Sequence, residues 1–270
     1  MLPAAFGQRD GADPRGAVPT WSCPARRRNQ KRHLASAERP ARAGEEEARM
    51  KRVGTRISQH ILLALPFLYR LVQYESRLGK GGGLIDLREQ IRATALLPGD
   101  MIECGSAKCG TAIIAALQMR RIGANRRVLA CDSFEGFDRV ELARERRAGL
   151  TDAADDAFTS TSLRYVTRKI ARLGLAREVV PVPGYFAETL PRIPGPFCLA
   201  LIDCDLSESV SFCADTVWPR MVSAGVVLFD DYGSVTYRGV THAVDRFVAS
   251  RSSEIGARGM MRRLYFVTKK

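Results

Sequence analysis

After Pro98-Gly99 the chain alternates between short apolar runs of strand length and stretches with apolar residues at helical spacing. Strands that alternate with helices imply βαβ units, and therefore a mostly parallel sheet covered on both faces. The pattern predicts a first strand from Met101 to Cys104 and a helix from Thr111 to Ile122, stopped by Gly123. A second strand runs from Arg127 to Cys131. A helix over Ser162 to Leu173 carries Leu163, Val166, Ile170 and Leu173 on one face, and strand three follows at Val179 to Val182. Strand four is Cys198 to Ile202, its helix carries Val210, Ala214, Val217 and Met221, and strand five is Val226 to Phe229. The helix His242 to Ser250 leads to Met260-Met261 and Arg263 to Thr268, which suit a terminal antiparallel hairpin. No internal repeat is present.

In an open parallel sheet, ligands bind beyond the carboxyl ends of the strands. Two strands here run straight into acids, Leu201-Ile-Asp-Cys-Asp-Leu206 and Val226-Val-Leu-Phe-Asp-Asp-Tyr-Gly233. Asp203 and Asp205 are two apart, so in strand geometry they project to one side, with Cys204 opposite. With Asp230 and Asp231 they form an oxygen-only set suited to Mg²⁺, since clustered carboxylates repel unless a cation joins them. Between the first strand and its helix, Glu103-Cys-Gly-Ser-Ala-Lys-Cys-Gly110 supplies glycines that let a backbone turn close on a ligand. Gly105 and Gly110 do not complete G-x-G-x-x-G, so the dinucleotide fingerprint is not met. Asp132, at the end of strand two, can accept both hydroxyls of a ribose. Gly105 and Asp132 together point to an adenosine-bearing ligand.

The 270 residues are 46% hydrophobic, enough for a large α/β domain with an appendage. A net charge of +13 suggests phosphate binding, but the basic residues are scattered among acids with no aromatic-flanked stripe after residue 50, which argues against nucleic acid. Seven cysteines without regular spacing, several in strands, suit small buried hydrophobes in a reducing, cytoplasmic setting rather than zinc or disulfides. Residues 1–49 are rich in Arg, Ala, Pro and Gly and lack periodicity, which predicts a disordered basic extension. Residues 50–97 read as a helical region, with Ile57, Ile61, Leu62, Leu65 and Leu68 at helical spacing and a second helix from Leu84 to Leu97. Its apolar run is far short of the ~20 residues that span a bilayer, though the apolar helix at 57–72 could mediate a homodimer. Residues 98–270 form the α/β domain.

Seven stretches, in order and spacing, resemble the macrocin O-methyltransferase family across about residues 84–250. They are Leu97-Pro-Gly-Asp-Met-Ile-Glu-Cys-Gly105, Asp132-Ser-Phe-Glu-Gly136, Ile170-Ala-Arg-Leu-Gly-Leu175, Gly184-Tyr-Phe-Ala-Glu-Thr-Leu-Pro191, Asp203-Cys-Asp-Leu-Ser-Glu-Ser209, Asp230-Asp-Tyr-Gly233 and Ala243-Val-Asp-Arg-Phe247. The resemblance implies a Rossmann-like class I methyltransferase fold, with a mostly parallel seven-stranded sheet, a C-terminal antiparallel hairpin and an N-terminal helical extension. It implies S-adenosylmethionine as cofactor, Mg²⁺, and a hydroxylated small-molecule acceptor, a sugar or natural-product diol.

On that resemblance Glu103, Gly105, Ser106 and the loop to Gly110 surround the methionine part, and Asp132 holds the ribose. Ser133, Gly184, Tyr185 and Phe186 lie near the adenine, and Asp203 borders the cofactor. Asp203, Asp230 and Asp231 would bind the metal, and Asp205 resembles the family's candidate base. Ala107-Lys108, Cys109 and Ser207 depart from the family pattern at the cofactor loop and the substrate wall, which predicts altered acceptor choice. Two other classes remain: a nicotinamide-dependent oxidoreductase, disfavoured by the missing third glycine, and a non-catalytic partner- or nucleic-acid-binding protein on the same fold. His242, early in an amphipathic helix, reads as a cap-region residue rather than a base.

Overall fold

The structure, a computed structural model, describes residues 53–270. The extension expected at 1–49 lies outside the described residues, as does Cys23. Helix α1 covers 53–64, and three one-turn segments follow at Pro66–Arg70, Gln73–Glu75 and Lys80–Gly82. The helical spacing that extends to Leu68 is cut because Pro66 has no N–H to donate and its ring crowds the preceding turn. Ile57, Ile61, Leu65, Phe67, Leu71 and Val72 are left exposed. Helix α2, Gly83–Ala93, then packs Leu84, Leu87 and Ile91 into the same apolar layer as Ile113 and Ala116 of α3, Gly110–Arg121. The helical region thus shares the core of the α/β part.

Seven strands form one sheet: β1 Asp100–Cys104, β2 Val128–Asp132, β3 Val179–Pro183, β4 Phe197–Ile202, β5 Met221–Phe229, β6 Ile255–Met260 and β7 Tyr265–Lys269. Their order is β3-β2-β1-β4-β5-β7-β6, with the first five parallel and β7 antiparallel to both neighbours. Strands buried on both faces should alternate between two cores, and these do. Ile102, Leu129, Val180, Ala200 and Val227 face one apolar layer, with α7 (Ser207–Val217) and α8 (Gly239–Ser250); Met101, Val128, Val179, Leu199 and Val226 face the other, with α3 and α5 (Leu163–Arg172), and the one-turn α6, Phe186–Thr189, follows β3.

Two elements differ from the sequence reading. Met221 opens β5 rather than closing the preceding helix, because α7 ends at Val217 and a turn through Pro219 redirects the chain. Helix α4, Arg139–Arg147, lacks an apolar stripe, since its buried face includes Glu141 and Glu145. Asp138 caps it, accepting from Val140 N and Glu141 N. Both inward acids accept from the start of α7: Glu145 takes Ser207 N at 2.5 Å and the Ser207 hydroxyl, and Glu141 takes Ser209 N and Oγ, each at 2.7 Å. Charge that would break a core stripe here satisfies the orphan donors of a helix terminus. Among the described residues no helix is long and apolar enough to cross a membrane.

Candidate active site

Strand register decides what meets at the carboxyl edge. Cys104 pairs with Cys131 on one side and Ile202 on the other, and Ile202 pairs with Phe229. The next residues of β1, β2, β4 and β5 are therefore Gly105, Asp132, Asp203 and Asp230, side by side. A cavity of about 1350 Å³ opens against them, larger than the roughly 300–1,000 Å³ that holds one small ligand.

One half of the cavity is built from backbone. Gly105 has φ +93°, and a Cβ there would lie 1.9 Å from the Asp203 carbonyl oxygen, so the crossing of the β1 and β4 ends requires glycine. The loop that follows carries Ala107 (φ +42°) and Cys109 (φ +54°) in the left-handed region. Asp132 holds it: Oδ2 accepts from Ala107 N at 2.8 Å and Oδ1 from Phe134 N at 2.6 Å. Burial raises the Asp132 pKa against the pull of these N–H groups. Gly105, Ser106, Gly110, Asp132, Ser133, Gly184, Tyr185, Phe186 and Asp203 all line the cavity. Glu103 does not. It lies buried behind the loop, accepting the Ser106 hydroxyl at 2.5 Å, and burial pushes its carboxyl up to about 8, so it is protonated at neutral pH.

The other half is acidic. Asp203, Asp205 and Asp231 each place a carboxylate oxygen within 4.8 Å of the others. Burial first, and then neighbouring carboxylates, hold all three above the usual carboxylate range. An oxygen-only triad that cannot ionise freely by itself is the donor set a hard divalent cation fits. Asp230 is placed differently from the sequence reading: both of its oxygens are engaged by Arg263, Nε at 2.7 Å and Nη2 at 2.5 Å. Arg263 sits in the β6–β7 turn, which buried Asp86 of α2 fixes by accepting Arg263 N at 2.8 Å and Leu264 N at 3.1 Å. A bidentate guanidinium supplies to Asp230 the positive charge that a cation would otherwise supply.

Sequence reasoning did not find the rest of the wall. Residues 71–80 line the cavity through Gln73, Glu75, Ser76, Arg77 and Lys80, so the helical preface is part of the site. Across from them, Phe137 meets Phe158 edge-on at 5.1 Å and Tyr237 at 6.4 Å, and Arg77 lies 4.8 Å from the centre of the Phe158 ring. Asp205 and Tyr237 line the same cavity, so the acidic triad and this aromatic wall share it. Loop residues without periodicity leave no pattern to read; Pro66, Gly79 and the glycines 81–83 mark breaks there without showing what the segment lines.

The family model for macrocin O-methyltransferases (TylF) matches residues 82–256. An 8-demethyl-8-(2,3-dimethoxy-alpha-L-rhamnosyl)-tetracenomycin-C 4'-O-methyltransferase of Streptomyces olivaceus is 32% identical over 152 residues, 54% of this chain and 58% of that protein. A demethyldecarbamoylnovobiocin O-methyltransferase of Streptomyces niveus is 30% identical over 142 residues, 50% of this chain and 53% of that protein. The chain thus spans a little over half the length of these curated relatives. Among solved structures, the O-methyltransferase NovP superposes with a TM-score of 0.59 at 24% identity, covering 69% of this chain and 79% of that one. The calicheamicin methyltransferase CalS11 gives 0.58 at 19% identity, covering 80% and 91%. These structural likenesses carry the fold, that of class I methyltransferases, and the strand order agrees with it.

Proposed function

Because the chain belongs to the macrocin O-methyltransferase family, we propose that it moves a methyl group from S-adenosylmethionine to a sugar hydroxyl of a natural product, with Mg²⁺ at the acidic triad. The observation that carries this reading is the juxtaposition at one sheet edge of the glycine loop with Asp132 and the triad Asp203, Asp205 and Asp231, in a cavity roomy enough for two ligands. A rhamnosyl acceptor in the Streptomyces olivaceus relative's name supports a sugar as the methylated unit.

Asp132 keeps lone pairs beyond those used by Ala107 N and Phe134 N, and a ribose diol suits them. Gly105 and Ser106 bring backbone close to the methionine part, while Ser133, Gly184, Tyr185 and Phe186 frame the adenine. Asp203 and Asp231, closed by Asp205, would hold the metal. The bound groups supply an electrophilic methyl and a Lewis acid that lowers the acceptor hydroxyl's pKa, worth several kcal/mol. Asp205, which lines the cavity with Tyr237, takes the hydroxyl proton, the role of a general base within hydrogen-bond reach. Phe137, Phe158 and Tyr237 present apolar faces to a sugar ring and its aglycone, and with Arg77 they restrict how it can enter. Positioning of the oxygen against the methyl then supplies much of the rate. Arg263 pairs with Asp230, which steadies the end of β5 next to Asp231. Six free, buried cysteines among the described residues support a reducing, cytoplasmic setting.

The test is methyl transfer followed by mass spectrometry with rhamnosylated polyketide acceptors, with and without a chelator. Activity that needs Mg²⁺ and is lost in Asp231→Asn supports the reading. Full activity in the chelator overturns the metal, and no transfer to any hydroxylated acceptor overturns the reaction.

A further inference from the structure

Lys169, on the inward face of α5, is fully buried yet does not line the cavity. A buried ammonium is tolerated only when its three N–H groups find acceptors. Lys169 has three: the Tyr74 carbonyl at 2.5 Å, the Glu75 carboxylate at 3.0 Å and the Lys108 carbonyl at 3.0 Å. Two belong to the turn through residues 73–76 and the third to the glycine loop, and both segments form cavity wall. One nitrogen thereby joins two stretches more than thirty residues apart in the chain.

Both stretches need holding. Gln73, Tyr74 and Glu75 have φ of +46°, +54° and +63°, and the loop adds Ala107 and Cys109, so five residues with side chains sit in the left-handed region. Such backbone persists only where its surroundings over-determine it, and it gathers at functional sites. Glu75 completes the joint: it accepts from Lys108 Nζ at 3.0 Å and from the Tyr165 hydroxyl at 2.5 Å, and Tyr165 meets the Tyr69 hydroxyl at 3.1 Å. The turn also rests on the first residue of α3. A Cβ on Gly110 would lie 2.3 Å from Ser76 N and 2.6 Å from the Tyr74 carbonyl, and Ser76 Oγ meets Thr111 Oγ1 at 2.7 Å.

Resting on the cofactor reading above, we propose that Lys169 is a positioning residue that holds the glycine loop and the 73–77 turn as one unit through Glu75, so that the cofactor wall and the N-terminal wall of the acceptor cavity are ordered together. Lys169 touches neither ligand. Its removal acts on both walls at once, whereas a merely structural lysine would lower stability without that pairing.

The experiment compares Lys169→Met and the double variant Glu75→Gln/Lys169→Met with the wild-type full chain, by calorimetric titration of S-adenosylhomocysteine, thermal melting and amide hydrogen exchange. In the single variant Glu75 keeps Lys108 and the Tyr165 hydroxyl but loses its buried ammonium; the double variant removes that under-compensated charge, so its melting temperature recovers in part relative to the single variant. Its affinity for S-adenosylhomocysteine does not recover: both variants bind roughly 10- to 100-fold more weakly than wild type. Exchange rises together at amides 106–109 and 74–77. Wild-type affinity in either variant, affinity that follows melting temperature across both, or exchange confined to one of the two segments overturns the proposal. Failure of the wild-type chain itself to bind S-adenosylhomocysteine would overturn the cofactor reading instead, and the exchange data would still decide whether Lys169 joins the segments.

Discussion

Replacing Gly105 with alanine puts a methyl group 1.9 Å from the Asp203 carbonyl oxygen and 2.6 Å from its carbon, in backbone with φ +93°. Two costs follow. A residue with a side chain in the left-handed region costs about 1–2 kcal/mol, and the overlap with packed backbone costs about 1–3 kcal/mol more. The β4 end must retreat by roughly 1.5 Å before ordinary contact is regained, because interiors have little slack. Gly174 supplies the control: its φ is +65°, but nothing lies within 4 Å of its added Cβ, so Gly174→Ala carries the first cost alone, about 1 kcal/mol. Urea unfolding should therefore find Gly105→Ala destabilised by about 2–5 kcal/mol and Gly174→Ala by about 1. The same retreat moves the Asp203 carboxylate, and a displacement of about 1 Å in a reacting constellation costs on the order of 100-fold in rate. Methyl transfer and S-adenosylhomocysteine binding should both fall in Gly105→Ala and stay at wild type in Gly174→Ala. Equal destabilisation of the two variants, or wild-type ligand affinity in Gly105→Ala, would mean that the β1–β4 crossing does not require glycine.

The Glu103 carboxyl, raised by burial from 4.5 to about 8, binds a proton in the folded state that the unfolded chain has already released. Its contribution is complete below pH 4.5 and lost as pH rises towards 8, at most about 5 kcal/mol across that window, so Glu103→Gln should match wild type near pH 4.5 and gain on it by pH 8 in urea unfolding; parallel pH profiles would count against it. Arg263→Met leaves Asp230 buried without its guanidinium and should cost about 3–5 kcal/mol, with Arg263→Met/Asp230→Asn recovering most of the loss; a neutral single variant would contradict the pairing. Glu145→Ala removes the acceptor shared by Ser207 N and its hydroxyl at the start of α7, and should cost about 1–3 kcal/mol in thermal unfolding; no change would mean that water replaces the carboxylate.

The sheet was readable because its parallel strands are short continuous apolar runs closed by Gly, Pro or Asp, and strand ends then assign Gly105, Asp132, Asp203 and Asp230 to one edge. Helix α4 escaped because its packed face holds Glu141 and Glu145, whose partners on α7 lie more than sixty residues away. The pairing of Asp230 with Arg263 was hidden for the same reason: a turn between two late strands, fixed by Asp86 of α2, delivers that guanidinium. Local pattern records which face is apolar. It does not record which distant charge answers a buried acid.

On the proposed function, the glycine loop and Asp132 take an adenosyl cofactor beside the acidic triad. Calorimetric titration of the full chain with S-adenosylhomocysteine, in the absence and presence of Mg²⁺, tests it most directly. One saturable site per chain is expected, weakened in Asp132→Ala, with a further heat of Mg²⁺ binding that Asp231→Asn removes. No saturable binding of S-adenosylhomocysteine under either condition would contradict it.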